Sequence, residues 1–200
     1  MKRTSNSKNE ILEKACSLFI KKGFSATTTR EITDSLKLSP GALYVHFKNK
    51  EEIFRLVINQ KHPWLEIPAV IGELEGNNID SLVKEALEKL EKKWAEKPDL
   101  VKLHLIEIVE FNGVHLPDLF EETLNKSFEN FLSLQKVRPE LQSIEGKLFH
   151  RALLGIFFGY TFLNRSITGI PAQMDQGIYG YFSDVYLRGI TDFKKEGDAE

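Results

Sequence analysis

Apolar residues recur at helical spacing along nearly the whole chain. Ile11, Leu12, Ala15, Leu18 and Phe19 fall on one helical face, and Gly23, just beyond Lys21 and Lys22, is the residue type that ends such a helix. Thr28 followed by Glu31 is a capping-box pair, with Ile32 and Leu36 as the buried stripe of a short second helix. Ser39 then precedes Pro40, which is favoured in the first helical turn because its missing N–H needs no partner there, and Leu43 and Phe47 face inward from a third helix of about two turns. Only Lys37 and Leu38 separate helices two and three. They must cross steeply, as in a helix-turn-helix with its second member exposed.

Ile53, Phe54, Val57 and Ile58 mark a fourth helix that His62-Pro63 breaks or kinks, and residues 72–78 read as a loop. An amphipathic helix is expected over 79–97, a mostly apolar one over 98–112, and a long one over 117–137 closed by Pro139. The most apolar helix follows over 143–164, ended by Gly169-Ile170-Pro171, and 173–193 supplies the last. No alternating strand pattern, internal repeat or low-complexity tract interrupts the series. The fold class is therefore all-α, with a small N-terminal three-helix module followed by a larger helical one.

Charge separates the same two modules. The 200 residues carry 27 Lys+Arg and 29 Asp+Glu, yet residues 1–62 are net +6 and the remainder net −8. A basic end on an acidic body suits contact with a polyanion through the N-terminal quarter alone. Cys16 is the one cysteine, and the opening residues carry no apolar stretch of a secretory signal, so a reducing cytoplasm is expected. The longest uncharged apolar run, Ala152 to Asn164, falls short of the ~20 residues a membrane helix needs. Histidines 46, 62, 104, 115 and 150 share no metal-ligand spacing, and neither a Gly-rich phosphate loop nor a nucleophile elbow is present. No catalytic residue, metal or cofactor is expected.

The run Gly23-Phe24-Ser25-Ala26-Thr27-Thr28-Thr29-Arg30-Glu31-Ile32, followed by Leu38-Ser39-Pro40-Gly41-Ala42-Leu43-Tyr44-Val45-His46-Phe47-Lys48-Asn49-Lys50-Glu51-Glu52-Ile53, resembles the DNA-binding domain of TetR/AcrR-family transcriptional regulators. The likeness spans roughly residues 8–58 without a gap. It implies a helix-turn-helix DNA-binding domain over 1–50, with an N-terminal tail over 1–8, and an effector-binding and dimerisation domain over 51–200. It further implies a homodimer that binds a double-stranded DNA operator and a small-molecule effector, as a ligand-responsive repressor. An effector-free nucleoid-associated or division-inhibiting protein is the alternative use of the same head. Two positions depart from the family pattern: Lys37 stands where a turn glycine is common, and Thr33 replaces a usual alanine.

Phosphate contacts position a reading helix and base-edge contacts specify the sequence. Tyr44, His46, Lys48 and Lys50 resemble the family's phosphate-contacting set, joined by Thr27 or Thr28 through a hydroxyl or the start of helix two. Tyr44 also reads as a surface aromatic, His46 as a solvated cation and Thr28 as a cap alone. Ser39, Pro40, Gly41, Ala42 and Val45 complete the candidate surface; Ala42 and Val45 suit thymine methyl groups, while Pro40 and Gly41 offer the groove no side-chain hydrogen-bonding group. Arg30 is the one long forked donor near the groove, suited to guanine, or else an i,i+4 partner for Asp34. Lys2, Arg3 and Lys8 form a minor-groove arm or a solvated tail.

For the effector site the candidates are Trp64, Trp94, Phe128, Phe131, Phe157 and Tyr160, each of which also reads as core, and His104, Glu107 and Phe111, which share one helical stripe. The competing reading puts His104 and Glu107 on the solvent face. Gly155 and Gly159 on the most apolar helix, with Tyr179, Phe182 and Tyr186 on the next, are the candidate dimer interface.

Overall fold

The computed structural model describes residues 8–147, 149–155 and 159. Among the described residues the secondary structure is all helical. The helices are α1 (Lys8–Lys22), α2 (Thr29–Ser35), α3 (Pro40–Tyr44), α4 (Lys50–Lys61), α5 (Ile67–Gly72), α6 (Ile79–Ala95), α7 (Val101–Phe111) and α8 (Leu116–Val137). Short 3-10 turns at Pro63–Glu66, Pro98–Leu100 and Pro139–Leu141 link several of them. Residues 149–155 continue in helix after a turn at 142–143, so this helix starts a little later than Ser143. The helix expected over 173–193 lies outside the described residues. Helix α5 is an addition that the hydrophobic pattern does not predict.

The chain divides into two compact units, one of Met1–Leu65 with Glu96–Glu122 and the other of Glu66–Ala95 with Thr123–Glu200. The first unit reaches well beyond residue 50, because α4 and α7 pack with the three N-terminal helices. Its centre is a run of aromatic rings. Phe54 of α4 stacks on Phe111 of α7 at 4.8 Å and 15°, and meets Phe19 of α1 edge-on at 5.3 Å. Phe24, between α1 and α2, closes the group at 4.6 Å from Phe111 and 5.4 Å from Phe54. Ile11, Leu12, Ala15, Ile32, Leu43, Phe47 and Ile53 fill the space around it.

Local chemistry sets the helix ends. Thr28 caps α2 by accepting from the Glu31 N–H at 3.2 Å, while a Glu31 carboxylate oxygen accepts from the Thr28 N–H at 2.8 Å, which is the expected reciprocal box. Asn49 caps α4 by accepting from the Glu52 N–H at 2.7 Å. Ser39 holds the N-cap position of α3, but its side chain makes no capping bond. Asn112 ends α7 in the left-handed region at φ 54, a role asparagine tolerates. Lys37 adopts φ 55 in the α2–α3 turn, where a residue with a Cβ pays roughly 1–2 kcal/mol.

In the second unit, Phe131 of α8 stacks on Phe149 at 4.7 Å. A Cβ at Gly146 would lie 2.8–2.9 Å from the Phe128 and Phe131 rings, so this chain crossing requires glycine. Arg138, just past α8, donates to the Gly76 and Leu74 carbonyls and Asn130 of α8 donates to that of Pro68, tying α8 and its end to α5 and the segment that follows it.

Candidate nucleic-acid interface

Helices α2 and α3 present a continuous exposed face. Arg30, Ser39, Pro40, Gly41, Tyr44, Val45, His46 and Lys48 are exposed and Ala42 is half-buried. Leu43, on the opposite side of α3, and Phe47, just beyond its end, are buried to 0% and 2% exposure and anchor it. Tyr44 and Val45 are 55% and 80% exposed. Two large apolar side chains are thus held outward on a helix whose inward side is fully packed. Nothing stands within 4 Å of a Cβ built at Gly41, so that position is open to a close-approaching ligand.

Arg30 lies 3.5 Å from Asp34 as an i,i+4 pair, with the two side chains 84% and 63% exposed. So loose and solvated a pair contributes little stability and leaves the guanidinium fork available. The Thr28 hydroxyl belongs to the capping box, so it serves the start of α2.

Thr27 and Lys50 sit differently from the rest. Thr27 is fully buried, and its hydroxyl donates to the Gly23 carbonyl at 2.8 Å. The Lys50 ammonium turns inward, donating to the Phe24 carbonyl at 2.8 Å and the Thr27 carbonyl at 2.7 Å, and rests 4.0 Å from the centre of the Phe24 ring. Burial is the main influence pulling the Lys50 pKa below its ordinary value, with Glu110 and Glu31 opposing. Both residues act here on the α1–α2 loop that leads into α2.

The same loop is gripped from the other side by Glu110, a residue the sequence reading does not single out. Its carboxylate accepts from the Phe24 N–H at 2.8 Å and the Ser25 N–H at 2.7 Å. Partial burial works to raise the Glu110 pKa, but the bonds from Ser25 and Phe24, with Lys50 nearby, outweigh it and hold the carboxyl below its usual range. A signal was present: an acidic residue in the last turn of a helix opposes the helix dipole and needs an outside partner.

The stripe of His104, Glu107 and Phe111 does not line one space. Phe111 belongs to the aromatic centre. Glu107 is 0% exposed, contrary to the solvent-face reading, and accepts from the His115 N–H at 2.8 Å and from His115 Nδ1 at 2.9 Å. His104 is half-buried and its Nδ1 lies 3.1 Å from His62 Nε2. Trp64 packs on both imidazoles, at 4.7 Å from His62 and 5.4 Å from His104. Trp94 and Phe131 are buried and Phe128 is half-buried, all three in the second unit.

Phe157, Tyr160, Tyr179, Phe182 and Tyr186 lie outside the described residues, whereas Gly155 and Gly159 are exposed. A surface cleft of about 320 Å³ is lined by Glu13, Cys16, Lys61, Glu96, Lys97, Asp99 and Leu100, none of them among the expected effector contacts. Among the described residues no group of three or more His, Cys, Asp or Glu is placed to hold a metal ion, and no helix is long and apolar enough to cross a membrane.

A short, outward-facing helix pair on a basic, packed support is the architecture of a DNA-binding head. Residues 11–57 match the family described as bacterial regulatory proteins, tetR family. The transcriptional regulator QacR of Staphylococcus aureus is 47% identical over 62 residues, which cover 30% of this chain and only 33% of that protein. The transcriptional regulator YvkB of Bacillus subtilis is 23% identical over 188 residues, covering 90% of this chain and 95% of that protein. Among solved structures, FadR from Bacillus subtilis in complex with stearoyl-CoA has a TM-score of 0.66 at 14% identity, covering 92% of this chain and 99% of that one. The TetR-family regulator PfmR from Thermus thermophilus has a TM-score of 0.58 at 22% identity, covering 89% and 97%. These structures share the fold.

Proposed function

We propose that this protein is a cytoplasmic, homodimeric repressor that holds a double-stranded operator through α2 and α3 and releases it when a small apolar or amphipathic effector binds. The observation that carries the reading is the outward face of α3, where Tyr44, Val45 and Gly41 stand exposed above a fully packed inner side. Tyr44, His46 and Lys48 supply phosphate contacts, with Ser39 beside them. Ala42 and Val45 meet thymine methyl groups, and Arg30 reads a guanine. Thr27, Thr28 and Lys50 act by shaping the loop that presents α2.

A reading helix of 5 residues, shorter than the two turns expected from the sequence, is too small to bind an operator alone, so two heads must be held by a symmetric interface. We assign that interface to the C-terminal part of the chain, around Gly155, Gly159, Tyr179, Phe182 and Tyr186. FadR was solved with stearoyl-CoA, and the buried aromatic residues Trp94 and Phe131 with half-buried Phe128 supply apolar material in the second unit of this chain. The residues 51–200 are accordingly read as the effector and dimerisation part.

Selection of duplexes from a random pool with the full chain tests the proposal. A palindromic site should emerge whose half-sites lie about one helical turn, ~34–36 Å, or a multiple of it apart. Arg30→Ala should relax preference at one symmetric guanine pair by ~1–3 kcal/mol, the value of a bidentate contact, while leaving helix content unchanged. Intact base preferences in that variant would make Arg30 a surface residue. Recovery of no sequence preference with wild-type protein would reject the operator-binding reading.

A further inference from the structure

Lys37 is the residue of the helix-turn-helix whose conformation the fold alone does not explain. Its backbone is left-handed at φ 55, the conformation that glycine adopts without strain. The turn is well bonded, with the Lys37 N–H donating to the Asp34 carbonyl at 3.1 Å and the Leu38 N–H to that of Thr33 at 2.9 Å. Those bonds use main-chain atoms and would be made equally by glycine. The side chain contributes nothing visible in return: it is exposed, and its ammonium makes no ion pair or hydrogen bond among the described residues. Three other lysines of the head are engaged within the fold. Lys22 pairs with Glu31, Lys61 with Glu13, and Lys50 is taken up by two carbonyls.

Strain held by an exposed, unpartnered side chain points to a ligand outside the fold. Lys37 lies two residues before Ser39, so its Cα is no more than ~7 Å from the start of the exposed face of α3. A flexible lysine there reaches past the end of that helix as a point charge, which suits a phosphate oxygen and carries no base information. We propose that Lys37 is an additional phosphate-contacting residue of the DNA interface, kept in a strained turn because its charge is used on the nucleic acid. This rests on the operator-binding reading above.

Substitution of Lys37 by glycine should move stability and DNA affinity in opposite directions. Full-length Lys37→Gly, Lys37→Gln and Lys37→Arg would be compared with wild type by thermal unfolding and by titration of two fluorescent duplexes across a series of NaCl concentrations. One duplex is the site selected by the wild-type protein and the other is a random sequence of equal length. Lys37→Gly should melt at a higher temperature yet bind both duplexes about three- to tenfold more weakly at 0.1 M salt. Its log–log salt slope should fall by about one per head.

Lys37→Gln should lose the same slope without the gain in melting temperature, and Lys37→Arg should keep the wild-type slope. Wild-type affinity and slope in both Lys37→Gly and Lys37→Gln would overturn the inference, and weakening confined to the selected duplex would overturn the phosphate assignment. A wild-type protein that binds neither duplex would instead sink the operator-binding reading.

Discussion

Phe54→Ala is expected to lower the stability of the chain by about 3–5 kcal/mol, the range for deleting a buried aromatic ring. Phe54 is 0% exposed and its ring touches every element of the aromatic centre: Phe19 on α1, Phe24 in the following loop, and Phe111 on α7, with His115 at 6.2 Å. Truncation removes the ring that these groups share. The surrounding helices are tied by other packing and cannot close fully on the space, so a cavity cost adds to the lost burial. Urea unfolding would show a lowered midpoint with little change in slope. A loss under about 1 kcal/mol would mean that the ring is peripheral and that Phe19 and Phe111 support the unit without it.

The same region shows which features could be read along the chain. Thr28 and Glu31 lie three residues apart and need only each other, so their box was legible from local spacing, as were the helices that carry a continuous apolar stripe. Helix α5 was not legible, because Ile67-Pro68-Ala69-Val70-Ile71-Gly72 is too short to show a period and begins beside a proline. The role of Lys50 depends on the Phe24 and Thr27 carbonyls, 26 and 23 residues earlier. Spacing along α4 carries no trace of that. Glu107 looked like a solvent-face residue because its partner His115 follows only after the chain has turned at Asn112 and Gly113. The exposed candidates on α2 and α3 were legible because their inward neighbours Ile32, Leu43 and Phe47 mark the opposite side so clearly.

Acid should destabilise this protein well before its carboxylates titrate. His62 is almost wholly buried, and burial, with His104 beside it, lowers its pKa from 6.5 to about 3. Burial lowers His104 to about 4, and burial with Arg151 nearby lowers His150 to about 4 as well. The bonding agrees with neutral rings: the Trp64 N–H donates to His62 Nδ1 at 3.3 Å, so the His62 proton sits on Nε2 and is donated to His104 Nδ1 at 3.1 Å. A second proton on His62 would displace the first of these bonds, and one on His104 Nδ1 the second. The folded state therefore binds fewer protons than the unfolded chain between about pH 6.5 and 4. Stability is full above that window and falls as pH drops through it, by about 1.4 kcal/mol per pH unit for each such histidine. At pH 5 the His62–His104 pair should have cost roughly 4 kcal/mol or somewhat less, given that His104 is only half-buried. Glu110 and Glu85, whose pKa values are lowered, act in the same sense but at lower pH: their contribution persists until the pH falls below the ordinary carboxylate value. Urea unfolding at pH 7.5, 6.5, 5.8 and 5.0 would separate the two. The double variant His62→Gln/His104→Gln should be weaker at pH 7.5 yet show a much flatter loss toward pH 5, with the remainder due to His150. A double variant as acid-sensitive as the wild type would show that the imidazole pair is not what this fold must keep neutral.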